Sequence, residues 1–284
     1  VSSAAPTAEL VLRDISGPQA LGVEPRRFWN LLWLSSVAEF KLVYAGSVLG
    51  YIWTLARPLA MFGVIYVVFS HVLGIGAGVG NYPAVLLLNL MLFQFFADAS
   101  GRAVRAMVSS EGVLRKMEFP RAVVPLSVVL TSVFTFSLNM VAVLAILFAT
   151  GLEPLETWLL VPLLLIAMLI FTTASCFALS TLFVQFRDVA QIWTVASLAL
   201  FYASPVMYPA EQIPSGFRWM LIVNPLAPIF ELMRKWAVDP TAPGVVEAAG
   251  GPWGWIGPGL AFLAVCVFAG LLFRRKVRTL AELL

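Results

Sequence analysis

Apolar runs of roughly 20 residues, the length needed to cross the hydrocarbon layer of a bilayer, recur along the chain. They fall at about 55–73, 83–101, 123–149, 158–184, 190–208 and 255–273. Polar punctuation separates them. A glycine-rich link (Gly74, Gly76, Gly78, Gly80) joins the first two runs, and Gln185 to Asp188 divides the fourth from the fifth. Arg274, Arg275, Lys276 and Arg278 close the last. The pattern predicts an all-α membrane protein with six transmembrane helices.

Two further segments are apolar but built differently. Residues 25–41, PRRFWNLLWLSSVAEFK, repeat Phe28, Leu31, Leu32 and Ser35 at helical spacing, with Trp29 and Trp33 four apart and charges at both ends. A run this short, mixing Trp and Arg, fits an amphipathic helix lying in the membrane interface; the alternative is the cytoplasmic stem of the first span. Residues 209–238 hold two apolar pieces of about ten residues separated by Asn224-Pro225. Each is too short to cross, and proline stops a continuous helix. Short half-helices dipping into the outer leaflet would explain the length and the break; an ordinary extracellular loop with two amphipathic helices is the alternative.

Charge orients the spans. Of the 18 basic residues, 15 lie in the N-terminal region to Arg57, between the second and third spans, at Arg187, or at the C-terminal end. The other three, Arg218, Arg234 and Lys235, share segment 209–254 with four acids, Glu211, Glu231, Asp239 and Glu247. By the positive-inside rule both termini are cytoplasmic, a parity that six spans satisfy and five or seven do not. Composition agrees. Of 284 residues 61% are hydrophobic and 12% charged, against roughly a quarter charged in soluble domains. Residues 1–24 are polar, have no apolar signal-peptide core, and read as a cytoplasmic lead-in to a single membrane domain over 25–284.

Reactive chemistry is sparse. Cys176 and Cys266 sit inside apolar runs and read as unpaired core residues. His71 is the one histidine. Asp98 lies one helical turn before Arg102 near the inner end of the second span, which reads as a structural pair. No metal-ligand spacing, Ser-His-Asp set or carboxylate cluster stands out, and no lysine follows a glycine as a Walker A phosphate loop requires. An energy source therefore belongs to a partner or to an ion gradient. What the spans do offer is aromatic and hydroxyl surface. Phe62, Tyr66 and Phe69 share one face of the first span, while Trp193, Phe201, Tyr202 and Tyr208 populate the fifth. Ser127, Thr131, Thr135 and Asn139 recur every four residues on the third, a ridge suited to helix packing. The aromatic faces fit lipid contact, core packing, or stacking against sugar rings.

Four stretches then resemble one family. FKLVYAGSVLGYIWTLARPL (40–59), LRKMEFPRAVVPLS (114–127), FRDVAQI (186–192), and SPVMYPAEQIP (204–214) with NPLAPIFELMRKW (224–236) resemble segments of ABC-2 type permeases, in the same order. These are the membrane subunits of ABC exporters for lipid-linked polysaccharides. The clearest departure is Arg57, where members often carry asparagine; it is placed to touch a phosphate headgroup or to snorkel to the inner surface.

The resemblance implies a homodimeric permease in the bacterial cytoplasmic membrane, joined to two ATPase subunits that hold ATP and Mg, with no cofactor on this chain and no nucleic-acid partner. It implies coupling through Phe28 and Trp29 on the interface helix and through Glu111, Arg115, Lys116, Glu118, Phe119, Pro120 and Arg121 in the following cytoplasmic loop. Arg57, Phe62, Tyr66, Phe69, Trp193, Phe201 and Tyr202 become candidates for the substrate path. Tyr208, Pro209, Phe217, Trp219, Asn224 and Pro225 become candidates for an outer gate. The implied cargo is a lipid-linked glycan such as a cell-wall galactan or an O-antigen. Three rival readings are a small-drug or lipid permease of the same superfamily, a membrane enzyme acting on polyprenyl-phosphate lipids, and an ion-driven secondary transporter.

Overall fold

A computed structural model describes residues 25–44, 50–74, 79–112, 120–249 and 251–276. Within them the chain forms helices and turns, with no strand. Helix α1 spans Pro25–Tyr44. Helix α2, Gly50–Tyr66, runs on into a π-helical turn at Val67–Val72. Then come α3, Tyr82–Ser109, α4, Val123–Ala149, and α5, Val161–Gln185, the last preceded by a 3-10 turn at Glu156–Leu160. Helix α6 is Val189–Ala203, α7 is Trp219–Val223, α8 is Ala227–Ala237, α9 is Val245–Ala249 and α10 is Trp253–Lys276.

Five of these helices, among the described residues, are long and apolar enough to cross a membrane: those over Ile52–Val72, Tyr82–Ser109, Val123–Ala149, Glu156–Gln185 and Trp253–Lys276. The chain is a multi-pass membrane protein. The run expected over 190–208 is helical only over Val189–Ala203, 15 residues, or about 22 Å at 1.5 Å per residue, short of the roughly 30 Å hydrocarbon core. Pro205 explains the stop. A residue before proline is pushed out of the helical region, and Ser204 is extended at φ −97°, ψ 147°. The helix of the second run departs from that run the other way. Expected to end near 101, it continues to Ser109, because Ala103, Val104, Ala106 and Met107 remain buried between the arginines.

The architecture is a hub with a rim. Helix α3 is buried over 78% of its apolar window, against 6% for α2 and 11% for α10. Its sequence is apolar nearly all round, as a central helix requires. Phe93 meets Phe201 of α6 at 4.9 Å between ring centres, and Phe96 meets Phe171 of α5 at 5.6 Å and Trp193 of α6 at 5.9 Å. With lipid on the outside, apolar contact alone does not drive helices together, and close packing and hydrogen bonds decide the arrangement. At the rim Gly257 of α10 presses on α7 so closely that a Cβ there would run into the Ile222 carbonyl oxygen.

Helix α1 lies along α4. Leu32 and Ser36 are buried in that contact, Thr131 Oγ1 donates to the Ser36 carbonyl at 3.2 Å, and Trp33 and Phe40 both pack edge-on against Phe134. Trp29, Leu34 and Leu42 stay exposed, and Trp33 keeps an open face beside its contact with Phe134.

Candidate functional site

Three features stand out on this frame: a polar cleft, an apolar groove and a polar lock on the segment after α6. The cleft encloses about 420 Å³ between α2, α3 and α4. Its origin is partly proline chemistry. Pro58 sits inside α2 and cannot donate the N–H that would bond the Thr54 carbonyl one turn earlier. Asn139 Nδ2 of α4 donates to that oxygen at 3.4 Å. Of the ridge expected on α4, Thr131 reaches α1 and Asn139 reaches α2, while Ser127 and Thr135 donate to carbonyls of their own helix, Thr135 on the cleft wall.

Charge gathers in the same cleft. Arg57 enters from α2, and Asp98 and Arg102 from α3. The expected Asp98–Arg102 pairing takes a different form. Arg102 Nη2 reaches across to α4, donating to Ser132 Oγ at 2.7 Å and to the Val128 carbonyl at 3.5 Å. Asp98 is left exposed to the cleft, within electrostatic reach of both Arg57 and Arg102. In the sequence the two α3 residues stand one turn apart, whereas the crossing to Ser132 has no local signal.

The groove holds about 450 Å³ between α2 and α6 and is almost wholly apolar, walled by Met61, Val64, Val68, Phe69, Phe201, Tyr202 and Met207. Of the aromatic candidates it unites Phe69, Phe201 and Tyr202. Tyr202 is 58% exposed, whereas Phe201 is buried against α3. Phe62 and Tyr66 stack on each other at 5.7 Å and turn toward the core, where Tyr66 meets Tyr82. Trp193 also packs inward, its indole N–H donating to Ser100 Oγ at 3.2 Å.

Beyond α6 the backbone is irregular yet buried from Ser204 to Met207. Irregular backbone is tolerated at membrane depth only where protein groups satisfy it, and here they do. Tyr82 Oη donates to the Met207 carbonyl at 2.6 Å, Asn89 Nδ2 to that of Pro205 at 3.4 Å, and Tyr208 Oη to that of Tyr202 at 2.7 Å. Asn224 is buried and does three tasks. Its Nδ2 donates to Ser204 Oγ at 2.8 Å and to the Ala203 carbonyl at 3.3 Å, and its Oδ1 accepts the Leu226 N–H at 2.9 Å. The Asn224-Pro225 break therefore ties α7 and α8 to the end of α6. Phe217 and Trp219 are exposed, while Pro209 is buried.

Arg234 of α8 closes the lock. It is buried, its Nη1 donates to both carboxylate oxygens of Glu211 at 3.0 Å, and it stands 3.8 Å from Glu231 Oε2. Glu231 Oε1 accepts the Ala210 N–H at 2.9 Å. Burial pushes the Glu231 carboxyl up to about 7, against the opposing pull of that N–H and of Arg234. This triad was not among the candidates the sequence offered; its signal there is faint, acids at 211 and 231 and a base at 234 among other charges.

Among the coupling candidates, Phe28 is half-buried and Trp29 exposed on α1, Glu111 and Arg121 are half-buried, and Pro120 is buried. Arg115, Lys116, Glu118 and Phe119 lie outside the described residues. Among the described residues no three metal-ligating side chains converge.

The chain is similar to known proteins. The O-antigen export system permease protein RfbA of Klebsiella pneumoniae is 31% identical over 208 residues, covering 73% of this chain and 80% of its own. The Myxococcus xanthus protein of the same name is 31% identical over 190 residues, 66% of this chain and 72% of its own. The polysialic acid transport protein KpsM of Escherichia coli is 25% identical over 193 residues, 66% and 73% of the two chains. Residues 30–237 match the family described as ABC-2 type transporter, and the chain belongs to that family.

Proposed function

We propose that this chain is the permease subunit of an ATP-driven exporter that moves a lipid-linked polysaccharide across the bacterial cytoplasmic membrane. The observation that carries this reading is the family match, together with relatives named for O-antigen export and polysialic acid transport. Two chains form the channel, and two separate ATPase subunits bearing ATP and Mg drive it.

Packing supports a path between copies. Helix α3 fills the centre of the chain with Leu86, Leu90 and Phe96, so a polymer has no room along that axis. The groove between α2 and α6 offers an apolar, aromatic wall instead, with Tyr202 exposed on it. Sugar rings carry apolar C–H faces that stack on such rings. Facing a second copy, this wall becomes half of a conduit.

The remaining parts take their places around it. Six crossings, the fifth being α6 with the buried turn behind it, put both termini in the cytoplasm. Helix α1 lies at the inner surface, and with the loop around 110–121 it docks the ATPase through Phe28, Trp29, Glu111, Arg115, Lys116, Glu118, Phe119, Pro120 and Arg121. Segment 209–238 forms the outer gate, tied down by Asn224 and by the Arg234 lock. Rigid-body movement at the ATPase is the means by which such a gate opens.

Isolation of the tagged chain from its native host in mild detergent tests the assembly. The expected result is an equimolar complex of two chains with two copies of a Walker-motif ATPase. Substituting Arg115→Glu with Lys116→Glu should leave the permease dimer and release the ATPase or uncouple its hydrolysis from export. A monomeric chain with no ATPase would count against the reading.

A further inference from the structure

The cleft between α2, α3 and α4 carries more chemistry than helix packing needs. Two guanidinium groups and a carboxylate within apolar spans are expensive, and ionisable groups so placed mark a functional site by default. Arg102 has a structural use, its bond to Ser132. Arg57 and Asp98 are exposed on the cleft instead. A volume of about 420 Å³ falls in the range of small-ligand sites, about 300–1,000 Å³.

The mixture of groups narrows the ligand. Two arginines suit a phosphate, since a guanidinium matches its oxygens with paired donors. A carboxylate beside them is wrong for a bare phosphate and right for a sugar hydroxyl, which donates to it. The amides of Gln94 and Asn139 extend the polar wall, and Trp53, 65% exposed at the rim, offers a stacking face. One wall is α2, the least buried of the spans, so a prenyl chain could leave the cleft sideways into the bilayer.

We infer that this cleft binds the junction between phosphate and first sugar of a prenyl-diphosphate-linked glycan, with Arg57 and Arg102 on the phosphates and Asp98 on a sugar hydroxyl. The inference rests on the reading of the chain as a glycan permease and gives that permease a headgroup site within each protomer, apart from the groove between α2 and α6.

Binding to the purified chain in lipid nanodiscs tests it, with geranyl diphosphate carrying one hexose, geranyl diphosphate alone, and inorganic pyrophosphate as probes. The wild-type chain should bind the hexose-bearing lipid most tightly. Arg57→Ala should weaken both lipids by about tenfold or more, the loss expected for one charge-assisted contact. Asp98→Asn should weaken only the hexose-bearing lipid and tighten the bare diphosphate. Neither residue holds the helices together, so both variants should melt as the wild type does. Equal affinities across the three proteins would overturn the proposal, as would pyrophosphate binding as tightly as the lipids. Failure of the transport reading is distinct: cells depleted of the chain would then keep their surface glycan. Loss of that glycan alongside unaltered binding would sink the cleft alone.

Discussion

Asn139 of α4 donates its side-chain amide to the carbonyl oxygen of Thr54, at 3.4 Å, the oxygen that Pro58 cannot serve within α2. A backbone carbonyl without its helical partner is costly in a membrane, so the two helices meet where the proline is. Asn139→Ala should lower stability by about 0.6 kcal/mol and at most about 1.7, the measured span for interhelical hydrogen bonds. Pro58→Ala should make the same change cheaper, since alanine at that position restores the helical donor. A double-mutant cycle on thermal unfolding in detergent checks the coupling; additive losses would mean the amide and the proline act independently.

The contact of Gly257 with the Ile222 carbonyl makes a second prediction. Any side chain at 257 must push α10 away from α7. Overpacking of this kind costs about 1–3 kcal/mol, and the contact is backbone, which cannot rotate aside. Gly257→Ala should lower the melting temperature and raise proteolysis around 219–223, while Gly259→Ala, with open space around it, should do neither.

Glu231 sets a pH dependence. Its carboxyl is raised from an ordinary value of 4.5 to about 7, first by burial, so the folded state holds a proton that the unfolded state has released. The stabilisation is full below pH about 4.5 and is lost as pH rises through about 7. Melting temperature should therefore fall from pH 5 to pH 8, and Glu231→Gln should flatten that fall. Arg234→Ala should be far more damaging above pH 7, on the order of 3–5 kcal/mol, because there it leaves the ionised Glu231 buried without its cation. Thermal unfolding across the pH series reads both effects.

Phe201 and Tyr202 are neighbours with opposite duties. Phe201 is buried against Phe93, and truncation to alanine should cost about 3–5 kcal/mol and reduce the yield of folded protein. Tyr202 faces out of the fold, so Tyr202→Ala should leave the melting temperature unchanged and slow export. Equal loss of folded protein in the two variants would remove Tyr202 from the path.

The spans are legible wherever hydropathy and helix end together, as over Val123–Ala149. Helix and apolar run part company in two places. Helix α3 continues past Arg102 because that cation finds Ser132 on another helix, and helix α6 stops at Pro205 although the apolar sequence runs on to Tyr208. The Ser204-Pro205 pair is a readable stop signal. The cleft is not readable, since Arg57, Asp98 and Asn139 follow one another at intervals of 41 residues and meet only after three helices pack. The lock around Arg234 hides for the same reason, being assembled from a loop acid and a helix base twenty-three residues on.

Depletion of this chain in its native host, followed by quantifying lipid-linked glycan on each side of the cytoplasmic membrane, tests the transport role most directly. A glycan permease should, when lost, strand lipid-linked polymer on the cytoplasmic side while surface glycan declines, and the wild-type gene should reverse both. Surface glycan that persists at its normal level, with no polymer retained inside, would contradict it.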